Sequence, residues 1–500
     1  MTVASGAVPA PTRGTTLPAT PRPAVQPQSL RDWRSEAPDV RVSGVTHDSR
    51  DVHPGDVYAA LPGSRAHGID FAGQAAARGA VAVVSDVAYE GLPTLVVPDP
   101  RGVLGDLARW VYGDPSAAMD VVGVTGTNGK TTTAYLLDAA FRAAGRTTGL
   151  VGTVETRVAG VRLESAHTTP EAPDLQALLA VMRERGVTGV GMEVSSHGLA
   201  LGRVDGTTFA AAVFTNLSQD HLDFHDGMEA YFKAKAALFT PERAKVAVVN
   251  VDDPYGQRLV ERSRLPVVTT SANGARLADW QAHDVTLSPD GATFRVVATG
   301  LDRVVRLRLP AAYNVANALG ALAALVSVGV DAEAAIAGVE SLDGVPGRLE
   351  RVDRGQPFLA VVDYAHSPDS VASVLAALRP LATGRLIVVL GCGGDRDAAK
   401  RPLMGEAAAR GADLVIATSD NPRSEDPLAI LDAMVAGIRE AGTTPYVVEP
   451  DRAAAIRLAV ASAEAGDVLL VAGKGHEQGQ TFADVTVPFD DRVVLAEALS

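Results

Sequence analysis

The sequence contains a single cysteine, Cys392, among 500 residues. An intrachain disulfide is therefore excluded, and nothing in the chain depends on an oxidising compartment. We expect a cytoplasmic protein. Cys392 lies in a glycine-rich turn without a basic group placed to activate it, so we interpret it as a small packed residue and not as a nucleophile.

An excess of positive charge is also missing, because the formal net charge is -14 and the pI is near 5.2. A general nucleic-acid binder or a membrane-surface protein would need a field of the opposite sign. We therefore expect neither a nucleic-acid partner nor a membrane partner. An acidic ligand would need a local basic pocket.

The first 27 residues are rich in Pro, Ala and Thr and lack the apolar segment of a signal peptide or a spanning helix. We interpret residues 1–27 as a disordered tail. The rest of the chain, in a sequence with 47% hydrophobic residues, has room for about three domains of typical size. No fixed-period repeat of the solenoid kind is present.

Alternating strand-like and helix-like segments indicate three α/β regions. Residues 28–117 form a small mixed region, residues 118–345 a second region and residues 346–500 a third. In the second and third regions, apolar β-rich runs end in polar residues and are separated by helical segments, which is typical of parallel sheets covered by helices. Ligands of such sheets bind at the carboxyl ends of the strands, where these polar residues lie.

The segment GTNGKTT, residues 126–132, lies between a buried strand and a helix and resembles a phosphate-binding loop. The usual spacing would put a glycine at Val124. Even so, the two glycines let backbone amides point at phosphate oxygens, and the helix adds its positive N-terminus. Lys130 would contact the outer phosphates, and Thr131 or Thr132 the Mg²⁺ that accompanies ATP. The alternative is an ordinary glycine-rich turn.

Acidic and imidazole side chains follow two further strands. Glu193 ends one strand in MEVSSH, and Asp220, His221 and Asp223 follow another in NLSQDHLDFH. Carboxylate and imidazole groups suit a divalent cation beside a polyphosphate. Each stretch taken alone is also compatible with a hydrogen-bonded loop.

A lysine falls in the apolar stripe of the helix predicted over residues 228–239. Lys235 lies one turn from Tyr231, whereas Lys233 projects to the opposite side. Lys235 either snorkels to solvent or is buried with a lowered pKa. A buried neutral amine could react with CO₂ to give a carbamate, which would bind a second Mg²⁺.

The motifs GTNGKTT, MEVSSH, FTNLSQDHLDFH, YNVANAL, PGRLE, DYAHSPDS and DNPR occur in this order and together resemble the Mur ligase family of peptidoglycan synthesis. The resemblance begins near residue 28 and covers the rest of the chain. The short loop is normal in that family, so Val124 is no defect. The family's fold implies a small mixed α/β domain for UDP-sugar, a central P-loop ATPase-like parallel-sheet domain and a C-terminal Rossmann-like α/β domain.

The resemblance implies an ATP-dependent, ADP-forming amide ligase. The members that this chain most resembles add diaminopimelate, here expected to be the meso isomer, to the D-Glu carboxylate of UDP-N-acetylmuramoyl-L-Ala-D-Glu through an acyl phosphate. Implied cofactors are ATP, Mg²⁺ and a CO₂-derived carbamate on Lys235, and the expected state is a monomer. Alternatives are ligases that add lysine or D-Ala-D-Ala, a folylpolyglutamate synthase, or a nucleotide-dependent binding protein without catalysis.

Site residues carried over from the family fall into four groups. ATP binding is implied for Gly126, Thr127, Asn128, Gly129, Lys130, Thr131, Thr132, Asn317, Arg348 and Asp363. Magnesium is implied for Thr131, Glu193, His221 and carbamylated Lys235, and the catalytic group is Lys130, Lys235, His221 and Glu193. Binding of the UDP-sugar peptide is implied for Ser49, Ser64, Arg65, Ala66, Thr168, Thr169, Ser195 and Arg203. Binding of diaminopimelate is implied for Arg396, Asp420, Asn421, Pro422, Arg423, Gly473 and Glu477.

The charges of the substrate give an independent reason to assign Arg423 to diaminopimelate binding. Diaminopimelate carries a distal carboxylate and ammonium, which a forked arginine and a nearby carboxylate complement. A lysine substrate would leave Arg423 unpaired at a cost of about 1–3 kcal/mol, so Arg423 favours diaminopimelate. The alternative for DNPRSEDP is a strand-end turn with a solvated arginine.

Overall fold

The computed structural model describes residues 21–63, 65–163, 167–220, 222, 224–274 and 277–500. Ser64, His221 and Asp223, all singled out above, lie outside the described residues. The chain forms two compact units. The first contains the described residues up to Val121 together with Arg146–Met192 and Gly198–Phe209, and the second contains Val122–Gly145, Glu193–His197 and Ala210–Ser500.

The N-terminal part of the first unit is built on a four-stranded parallel sheet in the order β3-β4-β5-β6. Its elements are β1 Gln28–Ser29, β2 Arg41–Val42, β3 Gly44–Thr46, β4 Asp56–Ala59, α1 Ala72–Ala77, β5 Ala82–Ser85, β6 Thr94–Val96 and α2 Pro100–Val111. Successive residues of β4 face opposite sides, as the period of a strand requires. Val57 joins the cluster that contains Leu104 of α2, and Tyr58 joins the cluster that contains Ala75 of α1.

The prediction of a disordered tail is wrong for residues 21–27. Arg22 donates hydrogen bonds to the carbonyl oxygen of Asp51 at 2.8 Å and to Asp51 Oδ2 at 3.2 Å, and its guanidinium lies 3.2 Å from Asp56 Oδ2. The Ala24 N–H donates to Glu184 Oε1 at 2.8 Å. These charge-assisted contacts hold a segment whose composition alone predicts disorder.

The central part of the chain alternates strands and helices. Its elements are β7 Asp120–Thr125, α3 Lys130–Ala143, β8 Thr148–Val151, β9 Thr156–Val158, β10 Val161–Leu163, α4 Ala172–Glu184, β11 Gly189–Glu193, α5 Ser196–Ala200, β12 Ala211–Phe214, α6 Gly227–Ala236, β13 Ala247–Asn250, α7 Pro254–Arg262, β14 Val267–Ser271, β15 Trp280–Ser288, β16 Gly291–Ala298, β17 Leu301–Leu307, α8 Ala312–Ser327 and α9 Ala332–Glu340. Within the first unit, β8 pairs with β11 in parallel and with β9 antiparallel, and β10 pairs with β9.

In the second unit, β7, β12, β13, β14 and β15 lie side by side as parallel strands. The first three are mainly apolar and buried on both faces, as strands covered by helices on both sides are. The predicted parallel sheet is therefore confirmed for this part. The antiparallel ribbon β15-β16-β17 that extends it was not predicted.

The C-terminal part is a six-stranded sheet in the order β18-β19-β23-β20-β21-β22, parallel except for β18. Its elements are β18 Glu350–Arg351, β19 Leu359–Asp363, α10 Pro368–Leu378, β20 Leu386–Leu390, α11 Lys400–Gly411, β21 Leu414–Ala417, α12 Pro427–Ala441, β22 Tyr446–Val448, α13 Arg452–Ser462, β23 Val468–Ala472, β24 Gly479–Phe482, β25 Val485–Pro488 and α14 Asp491–Ala498. The four strands predicted for this region correspond to β19, β20, β21 and β23.

A buried ion pair supports the carboxyl ends of two of these strands. Arg452 and Asp491 have completely buried side chains and form two hydrogen bonds of 2.7 Å. Arg452 also donates to the carbonyl oxygen of Ala472, the last residue of β23, at 2.9 Å, and to that of Ser419 after β21 at 3.4 Å. The backbone that leads into the predicted amino-acid site is thereby fixed.

Candidate active site

The segment between β7 and α3 is shaped as a phosphate loop. Gly126 and Gly129 have φ angles of 151° and 88°, a region that non-glycine residues rarely adopt. A Cβ atom on Gly129 would lie 2.3 Å from Asn317 Oδ1. No side chain caps the start of α3, so the N–H groups of its first turn are available to an anion. This backbone fits a polyphosphate.

The segment after β12 braces the loop from outside. The N–H of Thr127 donates to the carbonyl oxygen of Asn216, and the N–H of Asn128 donates to Asn216 Oδ1, both at 2.9 Å. Thr215 Oγ1 donates to the carbonyl oxygen of Asn128 at 2.6 Å. The sequence predicts metal ligands in this segment, but it gives no indication that Thr215 and Asn216 hold the backbone of the phosphate loop.

The Lys130 side chain folds back onto the phosphate loop and donates hydrogen bonds to its backbone. Its ammonium donates to the carbonyl oxygens of Gly126 at 3.0 Å and of Thr127 at 2.7 Å. Desolvation lowers the pKa of Lys130, while Glu193 and Asp220 act in the opposite direction. The ammonium lies at the loop where phosphate groups would bind.

Thr131 connects three separate parts of the chain. Its hydroxyl donates to Glu193 Oε2 at 3.0 Å and accepts a hydrogen bond from Arg348 Nη2 at 3.2 Å. Glu193 is 1% exposed and Thr131 4% exposed. A hydroxyl and a carboxylate beside a phosphate loop are suitable Mg²⁺ ligands. Across the described ranges, no three His, Cys, Asp or Glu side chains form a ready metal cluster.

Lys235 is buried, so the snorkelling interpretation is wrong. The residue is 1% exposed, and its Nζ donates to the carbonyl oxygen of Gly126 at 2.7 Å and lies 4.6 Å from the centre of the Tyr231 ring. Desolvation lowers the pKa of Lys235 well below its ordinary value, Lys130 lowers it further, and Asp220 opposes them. Lys233 is exposed, as predicted. The surroundings of Lys235 therefore favour the neutral amine.

The remaining residues predicted to bind the nucleotide lie around the same loop. The guanidinium of Arg348 lies 4.4 Å from the centre of the Tyr364 ring. Both carboxylate oxygens of Asp363 accept backbone N–H groups at 2.8 Å, one from Leu349 and one from Ala365. Burial raises the pKa of Asp363, and Arg348 opposes this effect. Asp363 therefore holds the segment that carries Arg348.

Most residues predicted to bind the UDP-sugar peptide belong to the first unit, and Ser195 belongs to the second. Ser49 Oγ donates to Gln74 Oε1 at 2.7 Å, and Thr168 Oγ1 lies 2.9 Å from Thr153 Oγ1. Glu171 accepts hydrogen bonds from Arg203 and Arg101, at 2.8 and 3.2 Å, and Arg203 also donates to the carbonyl oxygen of Thr169. Arg65 and Ala66 are exposed.

The predicted diaminopimelate residues meet at a cavity of about 1020 Å³ in the second unit. Six of the seven line it, namely Arg396, Asp420, Asn421, Arg423, Gly473 and Glu477. Gln219 and Asp220, from the central part of the chain, line it as well. Cys392 also lines the cavity; it is 2% exposed, and burial raises its pKa to about 12, which disfavours the thiolate, so the residue is packed as predicted.

Arg423 is held in one orientation at this cavity. Its φ of 53° is left-handed, and its N–H donates to the carbonyl oxygen of Thr481 at 3.0 Å. Its Nη1 donates to the carbonyl oxygen of Gly394 at 2.5 Å. The segment is thus a strand-end turn, as the alternative interpretation proposed, but its arginine is fixed at the cavity.

Lys474 is a residue that the sequence analysis missed. Its side chain is completely buried, and its Nζ donates to Asn421 Oδ1 and to Glu477 Oε2, both at 3.0 Å. It lies in the segment GKGHE, residues 473–477, whose first and last residues, Gly473 and Glu477, are predicted ligands. A lysine beside two predicted ligands was the available signal.

Comparison with known proteins agrees with this geometry. Residues 41–112 match the family model described as "Mur ligase family, catalytic domain", residues 124–325 match "Mur ligase middle domain", and residues 347–475 match "Mur ligase, glutamate ligase domain". The chain is 56% identical over 501 residues to UDP-N-acetylmuramoyl-L-alanyl-D-glutamate--2,6-diaminopimelate ligase of Streptomyces avermitilis, covering 97% of this chain and 99% of that protein.

Two further relatives carry the same name. The protein of Corynebacterium glutamicum is 50% identical over 478 residues, covering 92% of each chain. A solved structure of such a ligase has a TM-score of 0.69 and 36% identity, covering 95% of this chain and 99% of that chain. The chain therefore belongs to the Mur ligase family, whose members are ATP-dependent, ADP-forming ligases. The predicted family, α/β fold class and enzyme class are confirmed.

In the part of the chain that the structure describes, every helix is too short or too polar to span a bilayer.

The geometry of the phosphate loop predicts that a side chain at Gly129 weakens nucleotide binding. Gly129→Ala adds left-handed strain of about 1–2 kcal/mol and a clash with Asn317, so we expect the Kd for an ATP analogue to rise more than about tenfold. The control is Gly145→Ala at the other end of α3, where φ is 75° and no described atom lies within 4 Å of the new Cβ. This control adds similar strain but leaves nucleotide affinity unchanged. Equal affinities of the two variants in titration calorimetry would contradict the assigned loop.

Proposed function

We propose that this enzyme joins diaminopimelate to the D-Glu carboxylate of UDP-N-acetylmuramoyl-L-Ala-D-Glu with the energy of ATP. The observation that carries the proposal is the presence in one unit of a phosphate loop, a buried amine beside it, and a cavity lined by Arg423 and Glu477. The names of the most similar relatives support the same substrates.

The reaction needs activation because a carboxylate is a poor electrophile. A carboxylate oxygen of D-Glu attacks the γ-phosphorus, the bond to the β,γ-bridging oxygen breaks, and ADP leaves with an acyl phosphate remaining. The diaminopimelate amine then attacks the acyl carbon, loses a proton and expels inorganic phosphate. The protein mainly orients the reactants and stabilises developing negative charge.

The residues around the phosphate loop have distinct roles in this scheme. The N–H groups of the first turn of α3 and the Lys130 ammonium bind phosphate oxygens. Thr131 and Glu193 would hold one Mg²⁺, and His221 with carbamylated Lys235 a second. When bound, the ions neutralise charge on the phosphates. Asn317 and Arg348 border the nucleotide, and Asp363 orients Arg348.

The carbamate assignment follows from the state of the Lys235 amine. A neutral amine can attack CO₂ to form an N–C bond and release one proton, whereas an ammonium cannot. Because burial lowers the pKa of Lys235, the neutral form persists to lower pH than it would in water. Acidification through this lowered pKa protonates the amine and disfavours the carbamate. The carbamate would supply a carboxylate-like ligand of the kind that Mg²⁺ prefers.

Substrate selection is assigned to two sites. At the cavity, Arg423 pairs with the distal carboxylate of diaminopimelate, and Glu477 and Asp420 offer acceptors to an ammonium. The UDP-sugar peptide is proposed to bind Ser195 and, in the first unit, Ser49, Ser64, Arg65, Ala66, Thr168, Thr169 and Arg203.

The proposed domains are residues 28–117, 118–345 and 346–500, within which the three family matches fall. A cytoplasmic monomer remains our expectation.

Phosphate release tests the function. With ATP and the UDP-muramoyl dipeptide, we expect release only when a diamino acid is added, together with an amide product of the summed mass less one water. Diaminopimelate should exceed lysine in kcat/KM by about tenfold to a hundredfold, because lysine leaves Arg423 unpaired. Release that does not depend on the amine would refute the ligase assignment. Nucleotide binding without an amide product would instead favour a switch.

The carbamate has its own test. In ¹³C-bicarbonate, the wild-type protein should show a carbamate carbon resonance that disappears in Lys235→Met and persists in Lys233→Met, which alters an exposed lysine of the same helix. Lys235→Met cannot form the carbamate that would bind the second Mg²⁺, so its kcat should fall by about a hundredfold or more. The kcat of Lys233→Met should not change. Full activity of Lys235→Met would exclude a carbamate role.

A further inference from the structure

Lys474 is a completely buried lysine that contacts three residues lining the amino-acid cavity. Three acceptors surround its Nζ: Asn421 Oδ1 and Glu477 Oε2 at 3.0 Å, and Asp420 Oδ1 at 3.5 Å. A lysine ammonium has three donors, so its hydrogen-bonding capacity is directed at these groups. A buried ammonium is retained at a high desolvation cost unless it is paired, and here the pairing groups are cavity residues.

The contacts of Lys474 fix the amide of Asn421. Asn421 Oδ1 accepts from Lys474 and from the N–H of Thr481, both at 3.0 Å. With its oxygen directed at two donors, the amide presents Nδ2 to Glu477 Oε2 at 2.9 Å. A flipped amide would put an NH₂ group against an ammonium and lose all three hydrogen bonds.

The two carboxylate oxygens of Glu477 differ in their hydrogen bonds. Oε2 accepts from Lys474 and Asn421, whereas no described residue donates a hydrogen bond to Oε1. The Glu477 side chain is 34% exposed and lines the cavity. One oxygen is therefore anchored in the protein, and the carboxylate keeps the other for a ligand.

Lys474 offsets the negative charge of two carboxylates that line the cavity. Asp420 and Glu477 bring two carboxylates to one side of the cavity, and Lys474 is the lysine that forms ion pairs with both. Removing its charge leaves the Asp420 and Glu477 carboxylates without their shared partner, so Lys474 no longer offsets the repulsion between them. Their side chains would separate or turn toward solvent.

We propose that Lys474 is a positioning residue for the incoming amino acid: it locks Asn421 and anchors Glu477 so that the free Glu477 oxygen meets the substrate's ammonium group. The proposal rests on the proposed function in taking a diamino acid as the ligand. Lys474 itself does not touch the substrate, because its side chain is completely buried beneath these residues.

Lys474→Met tests this role at nearly constant side-chain length. We expect the KM for diaminopimelate to rise about tenfold to a hundredfold, the range for lost hydrogen bonds to charged groups. The KM values for ATP and the UDP-muramoyl dipeptide should stay at the wild-type values. Lys245→Met, at an exposed lysine, is the matched control and should leave all three unchanged. An unchanged KM for diaminopimelate in folded Lys474→Met would overturn the proposal.

A double-mutant cycle with Glu477→Gln shows whether Lys474 acts through Glu477. Once residue 477 is neutral, adding Lys474→Met should change the KM for diaminopimelate by much less than it does in the wild-type background. Additive effects would overturn the proposal. If Lys474→Met does not fold, comparison of the double variant with Glu477→Gln alone decides the question, and a further large rise in KM contradicts it.

These outcomes are separable from failure of the proposed function. Amide formation by the wild-type enzyme with diaminopimelate is measured first and establishes the reaction. A wild-type enzyme that forms the amide, combined with an unaffected Lys474→Met, would refute the positioning role alone. A wild-type enzyme that forms no amide would refute the function, and the role of Lys474 in it.

Discussion

The hydroxyl of Thr131 is the contact on which the rest of the site depends. It donates to Glu193 at the end of β11 and accepts from Arg348, which lies 217 positions further along the chain. One hydroxyl thereby joins the phosphate loop, the buried Glu193 carboxylate and the start of the C-terminal part. The segment that carries Arg348 is in turn held by Asp363 through the backbone of Leu349. A nucleotide bound at the loop would therefore contact groups from the central and C-terminal parts together.

Two buried lysines show how surroundings decide what an amine does. Lys235 donates to a carbonyl oxygen and not to a carboxylate at that contact. Burial, and the charge of Lys130 to a smaller extent, lower its pKa and favour the neutral, nucleophilic amine. Lys474 instead forms ion pairs with two carboxylates, those of Asp420 and Glu477. The first arrangement suits reaction with CO₂, and the second suits the ordering of neighbouring acceptors. We therefore propose a chemical role for one buried lysine and a positioning role for the other.

Sequence reasoning located the phosphate loop and the strands around it because both follow from local patterns: glycine spacing, apolar runs and helical periodicity. It placed Lys235 on the apolar stripe but left burial open, since only packing decides whether Nζ reaches solvent. The order of residues 21–27 was missed because it depends on Arg22 meeting carboxylates far along the chain. Lys474 was missed for the same reason, as its acceptors include Asn421, 53 positions away.

In the proposed reaction, the γ-phosphate of ATP bound at this loop activates a carboxylate. The direct test uses UDP-N-acetylmuramoyl-L-Ala-D-Glu with ¹⁸O in both oxygens of the reacting carboxylate, unlabelled ATP and diaminopimelate. An acyl phosphate requires one labelled oxygen to leave with phosphate and the other to remain in the amide carbonyl. Mass spectrometry should therefore find singly labelled inorganic phosphate in amounts equal to the amide. Amide formation with unlabelled phosphate would contradict the account.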